Sequence, residues 1–277
     1  MKFKFEREKL KVKQIIFIEG VSGVGKSTMV RMLSEELRNK GYNVKSHLEF
    51  DYTNPIDFYA TAYFTSDEYK VFCDKYISSI DSIRKNTITA DDKRLVRYYN
   101  EDTPLFNEEI LSELYGRELC YEPKNPIPIN EYTEVYKSVW KNFSEKIDND
   151  FDYVIFDGSL LHHPINDMMR NYGASGDTVV HHIKELLKSL GTAKRQIFYM
   201  YTDDIEKQLS KAHSDRGQGV PTQEEINFWK TRYKNDMTVL NSVNEDIKIL
   251  DVSNDSWDNA REKIISYITL CTFDCKI

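Results

Sequence analysis

Apolar residues gather in five short runs along the chain: QIIFIE (14–19), NVKSHLEF (43–50), DYVIFDG (152–158), RQIFYMYT (195–202) and DIKILDVS (246–253). Runs of this length, rich in β-branched and aromatic residues, predict strands. Between them, apolar positions recur at helical spacing. Met29, Met32, Leu33 and Leu37 share one face ahead of Gly41, a C-cap glycine. Ile226, Trp229, Tyr233, Met237 and Leu240 follow a capping box at Pro221, Thr222 and Glu225. Trp257, Ala260, Ile264 and Ile268 line a last helix that starts near Asp255 or Ser256. Strand and helix alternate, which predicts an α/β fold around a parallel sheet.

Residues 51–151 interrupt that alternation, in a stretch too long for a plain crossover and rich in Tyr, Phe and charge. The pattern predicts helices there, from Pro55 to Phe64 with Asn54 as N-cap and from about Glu131 to Lys146, while 84–106 shows no period. No flexible linker flanks the stretch. The reading is one domain over 1–277 with a helical insertion, about 51–151, packed on the strand ends.

Composition narrows the class. The chain has 277 residues, 40% hydrophobic and 30% charged, with only 11 Gly and 7 Pro, which is ordinary for a globular protein. No apolar stretch approaches the ~18 residues a membrane span needs. The basic start MKFKFEREKLKVK lacks an apolar core and carries Glu6 and Glu8, so neither a signal nor a transit peptide is read and a cytoplasmic protein is expected. A net charge of −7 argues against non-specific nucleic-acid binding. Neither a nucleic acid nor a membrane is an expected partner; a homodimer is left open. Cys73, Cys120, Cys271 and Cys275 are scattered and read as free thiols. His162-His163 and His181-His182 have no ligand spacing and read as structural or substrate-contact residues rather than a metal site.

The chemistry lies in GVSGVGKST, residues 20–28, between the first strand and the first helix. Gly20, Gly23 and Gly25 allow positive φ, so that amides of Gly20, Ser22, Gly23, Val24, Gly25, Lys26, Ser27 and Thr28 can point into one anion-binding concavity. In such a loop Lys26 reaches the β- and γ-phosphates of a nucleotide and the Ser27 hydroxyl takes Mg²⁺. The helix N-terminus adds its partial positive charge. A GTPase is disfavoured because Asn39-Lys40-Gly41-Tyr42 lacks the Asp of a guanine-reading motif. A hydrolytic motor is disfavoured because the third strand ends Asp157-Gly158, with Gly where a water-activating Glu would stand. Transfer to a bound acceptor is favoured over hydrolysis.

The order of a strand IFYMYT, a helix with Asp204 to Leu209, a segment Lys211 to Gly217, a helix with Glu225, Phe228 and Tyr233, and a final strand ILDVS resembles the nucleoside monophosphate kinase superfamily, closest to its thymidylate kinase and deoxynucleoside kinase branch. The resemblance spans 13–50 and 152–270 and is weak across 51–151. It implies a P-loop NTPase three-layer sandwich with strand order 2-3-1-4-5, a lid at about 211–221 and ATP with Mg²⁺ as cofactors. It also implies phosphoryl transfer to a nucleoside or nucleoside monophosphate. Arg216 matches the lid arginine, Glu49 the carboxylate that accepts the acceptor's proton, with Asp51 as the alternative, and Asp157 joins Ser27 at the metal. The segment after Asp157 departs from the thymidylate kinase pattern, where Arg170 is a candidate substrate clamp. Two alternatives stay open: a kinase for a sugar nucleotide or an antibiotic, like zeta toxins or chloramphenicol phosphotransferases, and a regulator that binds ATP without transferring anything.

Overall fold

The computed structural model describes residues 14–147, 151–253 and 256–270. The basic N-terminal arm, Asp255, Cys271 and Cys275 lie outside them. In chain order the first elements are β1 (Gln14–Gly20), α1 (Lys26–Asn39), β2 (Val44–His47), β3 (Thr61–Thr65), α2 (Ser66–Lys75), α3 (Ile80–Lys85), β4 (Thr87–Ala90) and β5 (Lys93–Arg97). There follow β6 (Tyr99–Asn100), β7 (Thr103–Pro104), α4 (Glu108–Tyr115), α5 (Ile129–Lys146), β8 (Tyr153–Asp157), α6 (His162–Tyr172) and α7 (Gly176–Ser189). The chain continues through β9 (Arg195–Tyr201), α8 (Ile205–Asp215), α9 (Gln223–Ser242), β10 (Ile247–Asp251) and α10 (Trp257–Leu270).

β1 is buried along its whole length. Ile15 and Phe17 enter one apolar layer and Ile16 and Ile18 the opposite one, as the two-residue period of a strand requires. A strand covered on both faces reads as a continuous apolar run, typical of parallel sheets. One face packs on α5, α6 and α7 through Val135, Trp140, Met168, Ile183 and Leu186. The other packs on α1, α8 and α10 through Met29, Leu33, Leu209 and Ile264. The five parallel strands lie in the order β10-β9-β1-β8-β2. This differs in numbering from the expected 2-3-1-4-5 because the insertion contributes strands of its own between β2 and β8. Counted over the parallel strands alone, it reads 5-4-1-3-2.

The insertion corrects the expectation of helices only. The helix expected over Pro55–Phe64 does not form: residues 55–60 run through turns, and Thr61–Thr65 forms β3 and pairs antiparallel with β5, which also pairs with β4. The reason is local. The Asn54 carboxamide oxygen accepts from the Ile56 amide at 3.1 Å, closing a turn instead of capping a helix. The unperiodic 84–106 holds the end of α3 and β4 to β7. A separate apolar cluster of Phe64, Phe72, Ile83, Val96 and Leu114 holds this part together. The expected helix at 131–146 lies within α5.

Two further boundaries shift. β2 ends at His47, leaving Glu49 in the turn beyond it. The expected lid is helical as far as Asp215, because Leu209 and Ala212 continue the buried face of α8; only the connection to α9 is open loop. Thr222 caps α9 by accepting from the Glu225 amide at 3.2 Å, but the Glu225 carboxylate turns to His213 Nε2 at 3.1 Å instead of closing the capping box. Among the described residues no helix is long and apolar enough to cross a membrane.

Candidate functional site

The turn between β1 and α1 is built from conformations that side chains resist. Gly20, Gly23 and Gly25 have φ of 145°, 81° and 89°. At Gly25 a Cβ would also lie 2.8 Å from Nε1 of Trp257, so both the backbone and the space require glycine. Two side chains hold the outside of the turn: Trp257 Nε1 donates to the Val24 carbonyl at 3.0 Å and Gln208 Nε2 to the Gly23 carbonyl at 2.7 Å. Val24 itself is buried in the core, so only its backbone belongs to the turn's surface. Helix α1 then starts with no side-chain cap and no acidic residue in its first turn, which leaves amide donors facing a cavity.

Lys26, the first residue of α1, is buried, and burial lowers its pKa against the pull of Asp157, Glu49 and Glu19. Its Nζ donates to the Val21 carbonyl at 3.1 Å and lies 3.3 Å from Nδ1 of His162. Asp157 stands at the end of β8, in register with Ile18 of β1. It is 1% exposed, and among the described residues neither carboxylate oxygen has a hydrogen-bond partner. Burial raises its pKa; the Lys26 charge and the Ser27 hydroxyl oppose that rise. The next residue, Gly158, has φ 65°, and a Cβ there would lie 2.9 Å from Cβ of His162 and 3.4 Å from Cε of Lys26. No glutamate fits at that position.

The loop after β8 is held from two sides by residues that sequence reasoning missed. Glu19, fully buried, accepts from the amides of Leu160 at 2.8 Å and His162 at 3.0 Å, and desolvation pushes its pKa up to about 7. Arg232 of α9, also fully buried, donates to the carbonyls of Leu161 at 2.8 Å and His162 at 3.0 Å, to Asn166 Oδ1, and to Asp236 at 2.8 Å. Tyr199 completes the network by donating to Asp236 at 2.8 Å. His162 is thereby fixed against Trp229, rings 5.4 Å apart and nearly parallel. Burial, then the Lys26 charge, depresses its pKa well below the ordinary value, so the ring is neutral. Its Nδ1 faces Lys26 Nζ and, at 3.2 Å, the Gly20 carbonyl.

Two cavities open from this centre. One, of about 770 Å³, runs along Ser22, Gly23, Gly25, Lys26, Ser27 and Thr28 and is closed on the far side by α8 and its C-terminal turn, including Lys211 and Arg216. The other, of about 430 Å³, is lined by Tyr59, Glu118, Tyr121, Glu122, His163, Asp167 and Arg170 among others. They share Ser22, Glu49, Phe50 and His162. Glu49 thus stands at the junction. Asp51 does not: it accepts from Thr53 N at 2.7 Å and pairs with His47 at 2.9 Å, and these bonds outweigh burial to hold its pKa near 2.

Other sequence candidates resolve as structure. Most of the aromatic run over 51–76, including Phe58, Phe64, Phe72 and Tyr76, is core, and only Tyr59 reaches the second cavity. His182 is buried against Thr133 at 2.8 Å, and desolvation depresses its pKa to about 3. Arg117 pairs with Glu68 at 2.8 Å over the Phe64 ring. Cys73 and Cys120 are buried and unpaired. Among the described residues no group of three metal-binding side chains converges. Compared with known proteins, the chain matches no family model and no curated protein sequence.

Proposed function

We propose that the chain is a P-loop kinase that transfers the γ-phosphoryl group of ATP to a hydroxyl of a small-molecule acceptor, in the manner of the deoxynucleoside kinases it resembles. One observation carries this reading: the glycine-loop cavity and the second cavity meet at Glu49. A nucleotide in the first and an acceptor in the second would bring donor and acceptor oxygens together, which is most of what phosphoryl transfer requires.

The loop amides and Lys26 neutralise charge developing on the transferred group, and Arg216 closes over it from the end of α8. Glu49 accepts the acceptor's hydroxyl proton as the new O–P bond forms and the bond to the β-phosphate oxygen breaks, releasing ADP. The buried Asp157 carboxylate and the Ser27 hydroxyl beside it are the residues that would hold a Mg²⁺. Bound there, Mg²⁺ supplies charge neutralisation at the β- and γ-phosphates. Gly158 leaves no side chain at its own position to activate water, which favours transfer over hydrolysis. Arg170 lines the second cavity, where it would contact the acceptor.

ADP formation from Mg·ATP across nucleosides, nucleoside monophosphates, amino sugars and aminoglycosides tests the proposal, with Lys26→Ala as control. Acceptor-dependent turnover that disappears in the variant supports a kinase. ATP binding with no acceptor response moves the reading to an ATP-binding regulator.

A further inference from the structure

The second cavity differs in charge from the first, and the difference bears on what it holds. Around the glycine loop the cavity carries Lys26, Arg31, Lys211 and Arg216 against Glu49 and Asp215, an excess of positive charge suited to a polyphosphate. The second carries Glu49, Glu118, Glu122 and Asp167 against the single guanidinium of Arg170. Among the described residues Glu49, Glu118 and Glu122 make no ion pair, and the Arg170 guanidinium lies on the Phe228 ring, 4.6 Å from its centre. Asp167 accepts from the Tyr121 amide at 3.0 Å and the Tyr132 hydroxyl at 3.1 Å. His163 is matched by Asp57, 4.0 Å away, and by the Tyr121 hydroxyl at 3.0 Å. Carboxylates without a cationic partner that face one cavity repel each other and any anion placed between them; burial raises the pKa of Glu118, which also accepts from the Tyr98 hydroxyl, and brings that of Asp167 up to about 6.

One wall of this cavity is aromatic. Phe50 and Tyr59 have ring centres 4.8 Å apart, Tyr59 and Tyr121 5.5 Å, and Phe50 and Tyr121 5.8 Å. Phe50 and Tyr121 both sit in the left-handed backbone region, at φ 62° and 69°, and Phe50 is 43% exposed at the cavity mouth. Large side chains held in that region carry strain, and such strain concentrates at ligand clamps. Aromatic faces beside carboxylates recognise cations: the ring quadrupole and the carboxylates act in the same direction.

We infer that the second cavity selects an acceptor that carries a positive charge beside its reacting hydroxyl, such as an amine-bearing sugar or cyclitol, and turns away acceptors that already carry a phosphate. The inference rests on the phosphotransferase reading for the word acceptor, but the binding preference stands on the cavity alone. The amine meets Glu118 and Glu122, the ring lies against Phe50 and Tyr59, and the hydroxyl faces Glu49. In the transfer step that hydroxyl gives its proton to Glu49, its oxygen bonds to the γ-phosphorus, and ADP leaves with the electrons of the broken bond.

The test is calorimetric binding and ADP formation in the full chain with Mg·ATP or its non-hydrolysable analogue. The probes are glucosamine, the aminocyclitol aminoglycoside neamine, glucose, adenosine and adenosine monophosphate. Glu118→Gln/Glu122→Gln is compared with the wild type, and Glu122→Gln alone serves if the double variant melts early, since Glu122 is exposed. The amine-bearing probes are expected to bind at least about tenfold more tightly than the neutral ones, the scale of one charge-assisted contact. That advantage shrinks in the variants and in high salt, through KM for the acceptor, while KM for ATP stays unchanged. Equal affinity for amine and neutral probes, or insensitivity of the amine preference to the glutamates, overturns the inference. Turnover of adenosine monophosphate overturns it while leaving the kinase reading intact. Glutamate-dependent amine binding with no transfer to any probe supports the cavity assignment and removes the kinase reading.

Discussion

The two cavities are built by different means. The glycine-loop cavity takes its donors largely from one unbroken stretch, residues 20–28, where backbone amides and an uncapped helix end do the work. The second cavity is assembled from side chains at 49–50, 59, 118–122, 162–170 and 229. A site made of backbone needs a local conformation, and a local conformation leaves a local pattern of glycines. A site made of side chains needs only that distant segments meet, so it leaves no pattern. The contrast also divides the chemistry: positive charge and amides on one side, carboxylates and rings on the other, with Glu49 between.

The segment that joins them should be the most sensitive to change. Arg232→Met leaves Asp236 buried without its cation and is expected to cost about 3–5 kcal/mol in a urea titration. Arg232→Met/Asp236→Leu should recover most of that stability. It should not recover turnover, because the carbonyls of Leu161 and His162 lose their anchor. A single variant as stable as the wild type would mean that the buried pair does not hold the loop.

Lys26→Ala breaks one cavity and spares the other. The expected loss in kcat is about 3–4 kcal/mol, the scale of one preorganised electrostatic contact, with acceptor binding retained. Loss of acceptor binding in calorimetry would show the cavities to be less separate than their linings suggest.

Glu19, which holds the loop after β8, reports on that loop through pH. Its pKa in the fold is about 7 against an ordinary 4.5, so the folded chain holds the proton more tightly than the unfolded one. The stabilisation from this group is complete below about pH 4.5 and is lost as pH rises through about 7, a difference of about 3 kcal/mol. Stability of the wild type relative to Glu19→Gln should therefore fall by about that much between pH 4.5 and 8. Parallel curves would place Glu19 outside this role.

The smallest effect is expected at Phe50. Phe50→Gly removes the ring from the cavity mouth and relieves a left-handed backbone, so stability should stay within about 1 kcal/mol. The acceptor's KM should rise more than that of ATP, because the ring packs on Tyr59 and Tyr121 of the second cavity. A large loss of stability would make the ring part of the core.

The alternation of strands and helices outside the insertion was legible because β1, β8 and β9 are apolar runs covered on both faces. The insertion was not. β3 is buried at four of its five positions, with none of the alternation that marks a half-buried strand, and the adjacent aromatics suggested a helix face. β4 and β5 are short and reverse at Asp91, whose φ of 50° no glycine announces. In the site, Lys26, Ser27 and Asp157 were readable from the loop motif and the strand end. Arg232 and Asp236 were not, because a charge pair four residues apart on a helix usually marks a solvated face. Glu19 left a faint signal: a carboxylate ending an apolar strand, immediately before the glycine loop.

The most direct measurement follows the γ-phosphoryl group itself. With γ-labelled ATP, Mg²⁺ and a bound acceptor, the label should appear on the acceptor, disappear from it in Glu49→Gln, and persist in Asp51→Asn. Label released as inorganic phosphate, or left in ATP with every acceptor offered, would contradict phosphoryl transfer at the junction of the two cavities.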